Sequence, residues 1–186
     1  MGFDHFSFIA PIYARVTYSK ADVMRDVASL PVDGRLLDIG GGTGRVATAI
    51  REFVDEIVIA DVSFGMLSHS PRTDFRPVCG ASETLPFADN SFERVIMVDA
   101  LHHVIDHAHT ANEMFRVLKP GGVLVIEEPD IRTFGVKLIA IAEKLLLMRS
   151  HFLAPDAISK LFKVGEKNIR SADGTAWVIV KKSPAN

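Results

Sequence analysis

The chain has 186 residues, of which 48% are hydrophobic and 24% are charged, and its formal net charge is −2. This composition is typical of a globular protein, most simply one domain over residues 1–186, and the small net charge gives no reason to expect nucleic acid as the main partner. The single cysteine, Cys79, excludes an intramolecular disulfide and disfavours a thiol-based metal site.

The N-terminus lacks the basic region and long apolar stretch of a secretory signal, and charged residues interrupt the most apolar segment, 134–154. We therefore expect a cytoplasmic protein without a transmembrane segment. Its oligomeric state, monomer or homodimer, is left open.

Strand-like and helix-like segments alternate along the chain. Helices are predicted over 19–30, 45–54, 63–68, 107–118 and 155–162, and strands over 35–39, 56–60, 75–79, 92–98 and 123–127. Residues 119–122 are predicted to close the helix that precedes the fifth strand. A hairpin is predicted from 164–170 and 175–181, joined by 171–174. This order predicts an α/β protein with a mostly parallel sheet and an antiparallel hairpin at its end.

A glycine-dense turn joins the first strand to the next helix. Residues 36–44 read Leu-Leu-Asp-Ile-Gly-Gly-Gly-Thr-Gly, which is typical of the first unit of a nucleotide-binding sheet. Glycine is needed where a backbone turns tightly and a ligand approaches it closely. The run 42–47 also fits the dinucleotide fingerprint, so two classes of ligand are open at this point.

The carboxylate of Asp38 favours one of them. Asp38 lies at the carboxyl end of the first strand, where a pyrophosphate would be repelled and a positively charged ligand attracted. Buried charges are found paired, and S-adenosylmethionine carries a sulfonium and an ammonium but no phosphate. The position of Asp38 therefore indicates S-adenosylmethionine rather than a dinucleotide.

Five segments, in order along most of the chain, carry a resemblance to a known family. They are LLDIGGGTGRVA at 36–47, IADVSFGML at 59–67, ETLPFADNSFERV at 83–95, LHHV at 101–104 and FRVLKPGGVLVIEEP at 115–129. The chain resembles the class I S-adenosylmethionine-dependent methyltransferases of the type-11 group, and it is similar to the ubiquinone/menaquinone-biosynthesis C-methyltransferases. The resemblance implies a Rossmann-like fold with a seven-stranded sheet whose last strands form the hairpin.

The resemblance also implies a set of cofactor-binding residues. They are Tyr13, Asp38, Gly40, Gly42, Gly44, Asp61, Val62, Met66, Ala81, Ser82, Glu83 and Asp99. Asp61 matches the acid that accepts both ribose hydroxyls, and Val62 and Met66 match apolar positions around the adenine. Where the family often has an aspartate for the adenine amino group, this chain has Ala81, which cannot accept that hydrogen bond, and Ser82 is the substitute we expect.

Four histidines, at 102, 103, 107 and 109, resemble a metal cluster. No cysteine or carboxylate with ligand spacing joins them, so no metal is expected. His102 and His103 are instead the candidate general bases for an acceptor that must lose a proton.

Residues 1–30 are interpreted as an N-terminal cap and residues 130–163 as a substrate lid. Apolar residues recur at helical spacing from Phe134 to Phe152, which is typical either of core or of a lid over an apolar substrate. Glu127 and Glu128 end the fifth strand, and two interpretations are open: one of them faces the pocket, or the two form a solvated pair.

The sequence thus predicts an S-adenosylmethionine-dependent methyltransferase that acts on a small, apolar molecule by in-line transfer. The alternatives are a non-catalytic cofactor-binding or scaffold protein with the same fold and a nicotinamide-dependent oxidoreductase.

Overall fold

The computed structural model describes residues 10–11, 17–71, 73–137 and 150–185. Seven strands form one sheet in the order β3-β2-β1-β4-β5-β7-β6. They are β1 Val32–Ile39, β2 Val54–Asp61, β3 Arg76–Cys79, β4 Phe92–Val98, β5 Leu118–Pro129, β6 Glu166–Ala172 and β7 Thr175–Lys181. The first five strands are parallel, and β7 runs antiparallel to both β5 and β6. The predicted fold, a mostly parallel sheet ending in an antiparallel hairpin, is confirmed.

Helices cover both faces of the sheet. They are α1 Ala21–Val27, α2 Arg45–Ile50, α3 Phe64–Leu67, α4 His107–Val117 and α5 Pro155–Leu161, with 3-10 turns at Arg51–Phe53 and Leu101–His103. Side chains of α1 and α2 pack on one face, and those of α4 and α5 pack on the other. Because successive strand residues point to opposite faces, Leu36 joins the first core layer and Leu37 the second. Burial on both faces explains the long apolar runs of the central strands.

Two predicted segments differ clearly in extent from the structure. The helix expected over 19–30 is confined to Ala21–Val27. Residues 119–122, expected to follow a helix as a loop, lie within β5, because Leu118 already pairs with Phe92 of β4. Gly121, with a φ of 77°, permits the irregular register there.

Short capping and turn motifs agree with the sequence. Ser63 caps α3 by accepting a hydrogen bond from the Met66 amide. The turn between β6 and β7 places Asp173 and Gly174 at φ values of 49° and 76°, which is the geometry of a tight hairpin.

Part of the predicted lid lies outside the described residues. Residues 134–137 are helical and Phe134 is 76% exposed, whereas 138–149 belong to the part that is not described. The lid and the single-domain organisation therefore stay predictions. None of the described helices is long and apolar enough to cross a membrane.

Candidate functional site

A cavity of about 270 Å³ opens at the carboxyl ends of β1, β2 and β4. In an open parallel sheet this edge is where ligands bind. The structure describes eleven of the twelve residues expected to bind the cofactor. Ten of these line the cavity: Asp38, Gly40, Gly42, Asp61, Val62, Met66, Ala81, Ser82, Glu83 and Asp99. Gly44 caps α2 without lining the cavity, and Tyr13 lies outside the described residues.

The glycine turn passes close to its neighbours. Gly40 and Gly42 have φ values of 70° and 53°, in the region that favours glycine. A Cβ on Gly40 would lie 2.5 Å from the Cβ of Ala100, and one on Gly41 would lie 2.6 Å from Oδ2 of Asp38. Side chains at these positions would collide with the cavity wall, so the turn requires glycine for steric reasons.

Asp38 is a buried carboxylate without a partner. Its side chain is 1% exposed, and neither carboxylate oxygen has a hydrogen-bond partner among the described residues. Burial raises the pKa of Asp38 to about 7, and the positive charge of Arg45 counteracts part of that rise. Such a group is costly unless something pairs with it, so the cavity is built for a positively charged ligand.

Asp61, at the end of β2, is fixed by backbone donors. Its Oδ2 accepts from the Gly42 amide at 2.9 Å, and its Oδ1 accepts from the Ser63 amide at 2.7 Å. The orientation suits a carboxylate that receives a pair of ligand hydroxyls.

The loop after β3 lines another part of the cavity. Ser82 is near two partners, with its Oγ 3.3 Å from Glu83 Oε2 and 3.0 Å from Thr110 Oγ1. Glu83 also accepts from the Asp106 amide at 3.3 Å. The Ser82 hydroxyl, expected to replace the missing acceptor at Ala81, is thus already engaged within the protein.

The structure separates the two histidines after β4. His103 lines the cavity, whereas His102 does not. His102 is 5% exposed, its Nδ1 lies 2.5 Å from Glu128 Oε2, and its ring stacks on Phe152 at 4.4 Å. Burial lowers the pKa of His103 to about 4, with His102 contributing, so His103 is neutral near pH 7.

The interpretation of Glu127 and Glu128 as a solvated pair is wrong. Both are buried, because neighbouring strand residues point to opposite core layers and each finds donors there. Glu128 Oε1 accepts from the amides of Ala100 and Leu101, at 3.0 and 2.7 Å. It therefore holds the loop that carries the cavity residues after β4.

Several lining residues were not singled out from the sequence. They include Gly41, Thr43, Arg45, Ala100, Val104 and Ile105. Gly41 belongs to the glycine run and could have been chosen with it, but Arg45 reads only as the start of a helix. Among the described residues, no group of three or more His, Cys, Asp or Glu is placed to hold a metal ion.

Comparisons with known proteins agree with the fold. The family model described as "Methyltransferase domain" matches residues 37–126. A demethylmenaquinone methyltransferase of Mycolicibacterium vanbaalenii is 35% identical over 135 residues, covering 73% of this chain and 58% of the relative. The ubiquinone/menaquinone biosynthesis C-methyltransferase UbiE of Coxiella burnetii is 31% identical over 137 residues, covering 59% of this chain and 55% of the relative. The chain spans about half the length of the curated relatives it matches.

A solved structure from Thermotoga maritima is similar over nearly the whole chain. It is a SAM-dependent methyltransferase described as a possible histamine N-methyltransferase, and it superposes with a TM-score of 0.79 at 22% identity. The match covers 96% of this chain and 98% of the other. At this identity the likeness shows the shared fold alone.

Proposed function

We propose that this chain is a class I S-adenosylmethionine-dependent methyltransferase and that it transfers a methyl group from S-adenosylmethionine to a small, apolar acceptor. The observation that carries the proposal is the unpaired, buried carboxylate of Asp38 in the cavity wall. A cationic ligand satisfies it, whereas the pyrophosphate of a dinucleotide would be repelled by it. The residues present therefore fit S-adenosylmethionine and disfavour the nicotinamide alternative.

Each part of the cavity has a role in this proposal. Asp38 faces the positively charged end of the cofactor, and Asp61 accepts from its ribose hydroxyls. Val62 and Met66 supply apolar surface for the adenine, and Ala81 lies where a carboxylate would otherwise accept from its amino group. The adenine would then be held mainly by apolar contact.

When bound, the cofactor supplies an electrophilic methyl carbon on a positively charged sulfur. Held by Asp38 and Asp61, the cofactor would supply its methyl group to the acceptor, and the electron pair of the broken carbon–sulfur bond would stay with the sulfur. The protein's contribution is to hold the acceptor in line and to exclude water. Glu128 fixes the loop from Ala100 to His103 that forms this side of the cavity.

Of the two candidate bases, the proposal keeps His103. It lines the cavity, and as a neutral imidazole it can accept a hydrogen bond from an acceptor hydroxyl, although its pKa of about 4 makes it a weak acceptor of the proton itself. His102, placed between Glu128 and Phe152, instead supports the loop.

The acceptor is proposed to be apolar because exposed aliphatic side chains border the cavity. Val62 is 73% exposed and Ile105 is 94% exposed, and both line it. Two of the relatives are named for menaquinone chemistry, so a demethylmenaquinol with a short side chain is the first acceptor to assay.

The test has two stages. Calorimetry with S-adenosylmethionine, S-adenosylhomocysteine and NAD asks which ligand binds, and selective binding of NAD would refute the proposal. Transfer of labelled methyl to demethylmenaquinol and to a cell extract, with the product identified, then separates an enzyme from a non-catalytic cofactor-binding protein. Cofactor binding without any transfer would favour the latter.

A further inference from the structure

Arg45 is a cation in a cavity whose other charged side chains are acids. It is the first residue of α2, directly after the glycine turn, and its side chain is 18% exposed. The cavity lining also contains four carboxylates: Asp38, Asp61, Glu83 and Asp99. Among the described lining residues, Arg45 is the one side chain that carries a permanent positive charge.

The Arg45 guanidinium is held from two sides. Its Nη2 donates to Asp99 Oδ2 at 3.1 Å, at the carboxyl end of β4. Its central carbon lies 5.5 Å from the ring centroid of Tyr18, which places the charge over an aromatic face.

Tyr18 is itself locked in place by a buried carboxylate. Its hydroxyl donates to Glu127, which also accepts from Trp177 Nε1 at 2.7 Å and from Lys20 Nζ at 3.1 Å. Burial, together with the negative charge of Glu127, raises the pKa of Tyr18, so the phenol stays neutral and keeps this bond. The surface on which Arg45 rests is therefore preorganised.

The guanidinium has donors to spare. It presents five N–H groups, and the bond to Asp99 is the one hydrogen bond its side chain makes among the described residues. A planar fork of this kind binds a carboxylate with two parallel hydrogen bonds. Because the other charged side chains of the described lining are acids, Arg45 is the side chain that can attract an anion here by its charge.

We propose that Arg45 binds the carboxylate at the amino-acid end of S-adenosylmethionine, held for that task by Asp99 and by the Tyr18–Glu127 pair. The inference rests on the proposed function and extends it to a residue outside the expected cofactor set. Asp38 and Arg45 then recognise the zwitterionic amino-acid end of the cofactor. Asp38 pairs with its positively charged groups, and Arg45 pairs with its carboxylate. A ligand that keeps the nucleoside and the sulfonium but lacks the carboxylate gains nothing from Arg45.

The test compares S-adenosylmethionine with its decarboxylated form, because the two ligands differ in that group alone. Calorimetry measures both dissociation constants for the wild type, Arg45→Met, Arg45→Lys and Arg76→Met. Arg76 is the matched control, since it is 75% exposed at the start of β3 and pairs with Glu56 away from the cavity. Thermal melts establish that each variant is folded.

We expect Arg45→Met to weaken S-adenosylmethionine about tenfold or more, while the decarboxylated ligand changes by about twofold or less. Arg45→Lys should lie between the wild type and Arg45→Met, and Arg76→Met should match the wild type. Equal weakening of both ligands, or unchanged affinity for S-adenosylmethionine in a folded Arg45→Met protein, overturns the inference. A wild type that binds neither ligand refutes the proposed function instead, so the two failures are distinguishable.

Discussion

The unpaired carboxylate of Asp38 makes cofactor affinity depend on pH. Its pKa of about 7 in the empty cavity should fall when a cationic ligand binds, because the ligand favours the ionised form. Protons are then released on binding, and affinity for S-adenosylmethionine should drop as the pH falls below 7. Asp38→Asn removes the titrating group and with it this dependence.

The size of the effect follows from the pKa. With a value of about 7, half of the Asp38 carboxyls are ionised at pH 7 and about 1% at pH 5, so affinity should fall about 50-fold, or roughly 2.3 kcal/mol. Calorimetry at several pH values, in buffers with different ionisation enthalpies, measures both the affinity and the proton release. An affinity that is constant from pH 5 to pH 8, or an Asp38→Asn protein with the same slope, would refute the reasoning.

The Asp38 carboxyl should also affect the stability of the ligand-free protein. Raising the pH should strengthen cofactor binding but lower the free energy of unfolding. The folded-state pKa of Asp38 lies above its ordinary value of 3.8, so the native state binds more protons than the unfolded chain between about pH 4 and pH 7. The free energy of unfolding therefore falls as the pH rises through this window. Asp38→Asn should unfold at a higher temperature than the wild type at pH 8, by several degrees for a gain of about 1–3 kcal/mol, while binding the cofactor more weakly.

Three further substitutions test the cavity and the loop beside it. Gly42→Val should abolish cofactor binding while the protein stays folded. The valine Cβ would lie 2.9 Å from Met66 Cε, at a φ that disfavours side chains. A cofactor titration and a thermal melt of the same variant check both expectations. Asp61→Ala should weaken S-adenosylhomocysteine by roughly 1.5–3 kcal/mol in calorimetry, and unchanged affinity would remove Asp61 from the site. Glu128→Ala should lower the free energy of unfolding, measured in urea, by about 2–4 kcal/mol, because buried backbone amides and His102 lose their acceptor. An unchanged free energy of unfolding would contradict the role assigned to Glu128.

Local signals in the sequence determined the helices and strands, and they also determined the part of the site formed by Asp38 and the glycine turn. The glycine turn after β1 and Asp38 lie within one strand–turn–helix unit, whose conformation depends on neighbouring residues and on the lack of a Cβ. The spacing of apolar residues located the central strands, and Asp173-Gly174 located the hairpin, because period and turn chemistry are local properties. For these features the sequence alone indicates the conformation, and the structure supplies the distances and dihedral angles.

Tertiary structure decided which of two adjacent residues faces the cavity. His102 and His103 are equivalent in the sequence, but the 3-10 turn that carries them directs their side chains differently. The His102 ring forms a hydrogen bond with the buried Glu128 carboxylate. In the same way Glu127 joins Tyr18, 109 positions away, and Arg45 meets Asp99, 54 positions away. Pairings over such distances depend on how the strands order themselves in the sheet, and no local pattern in the chain encodes that order.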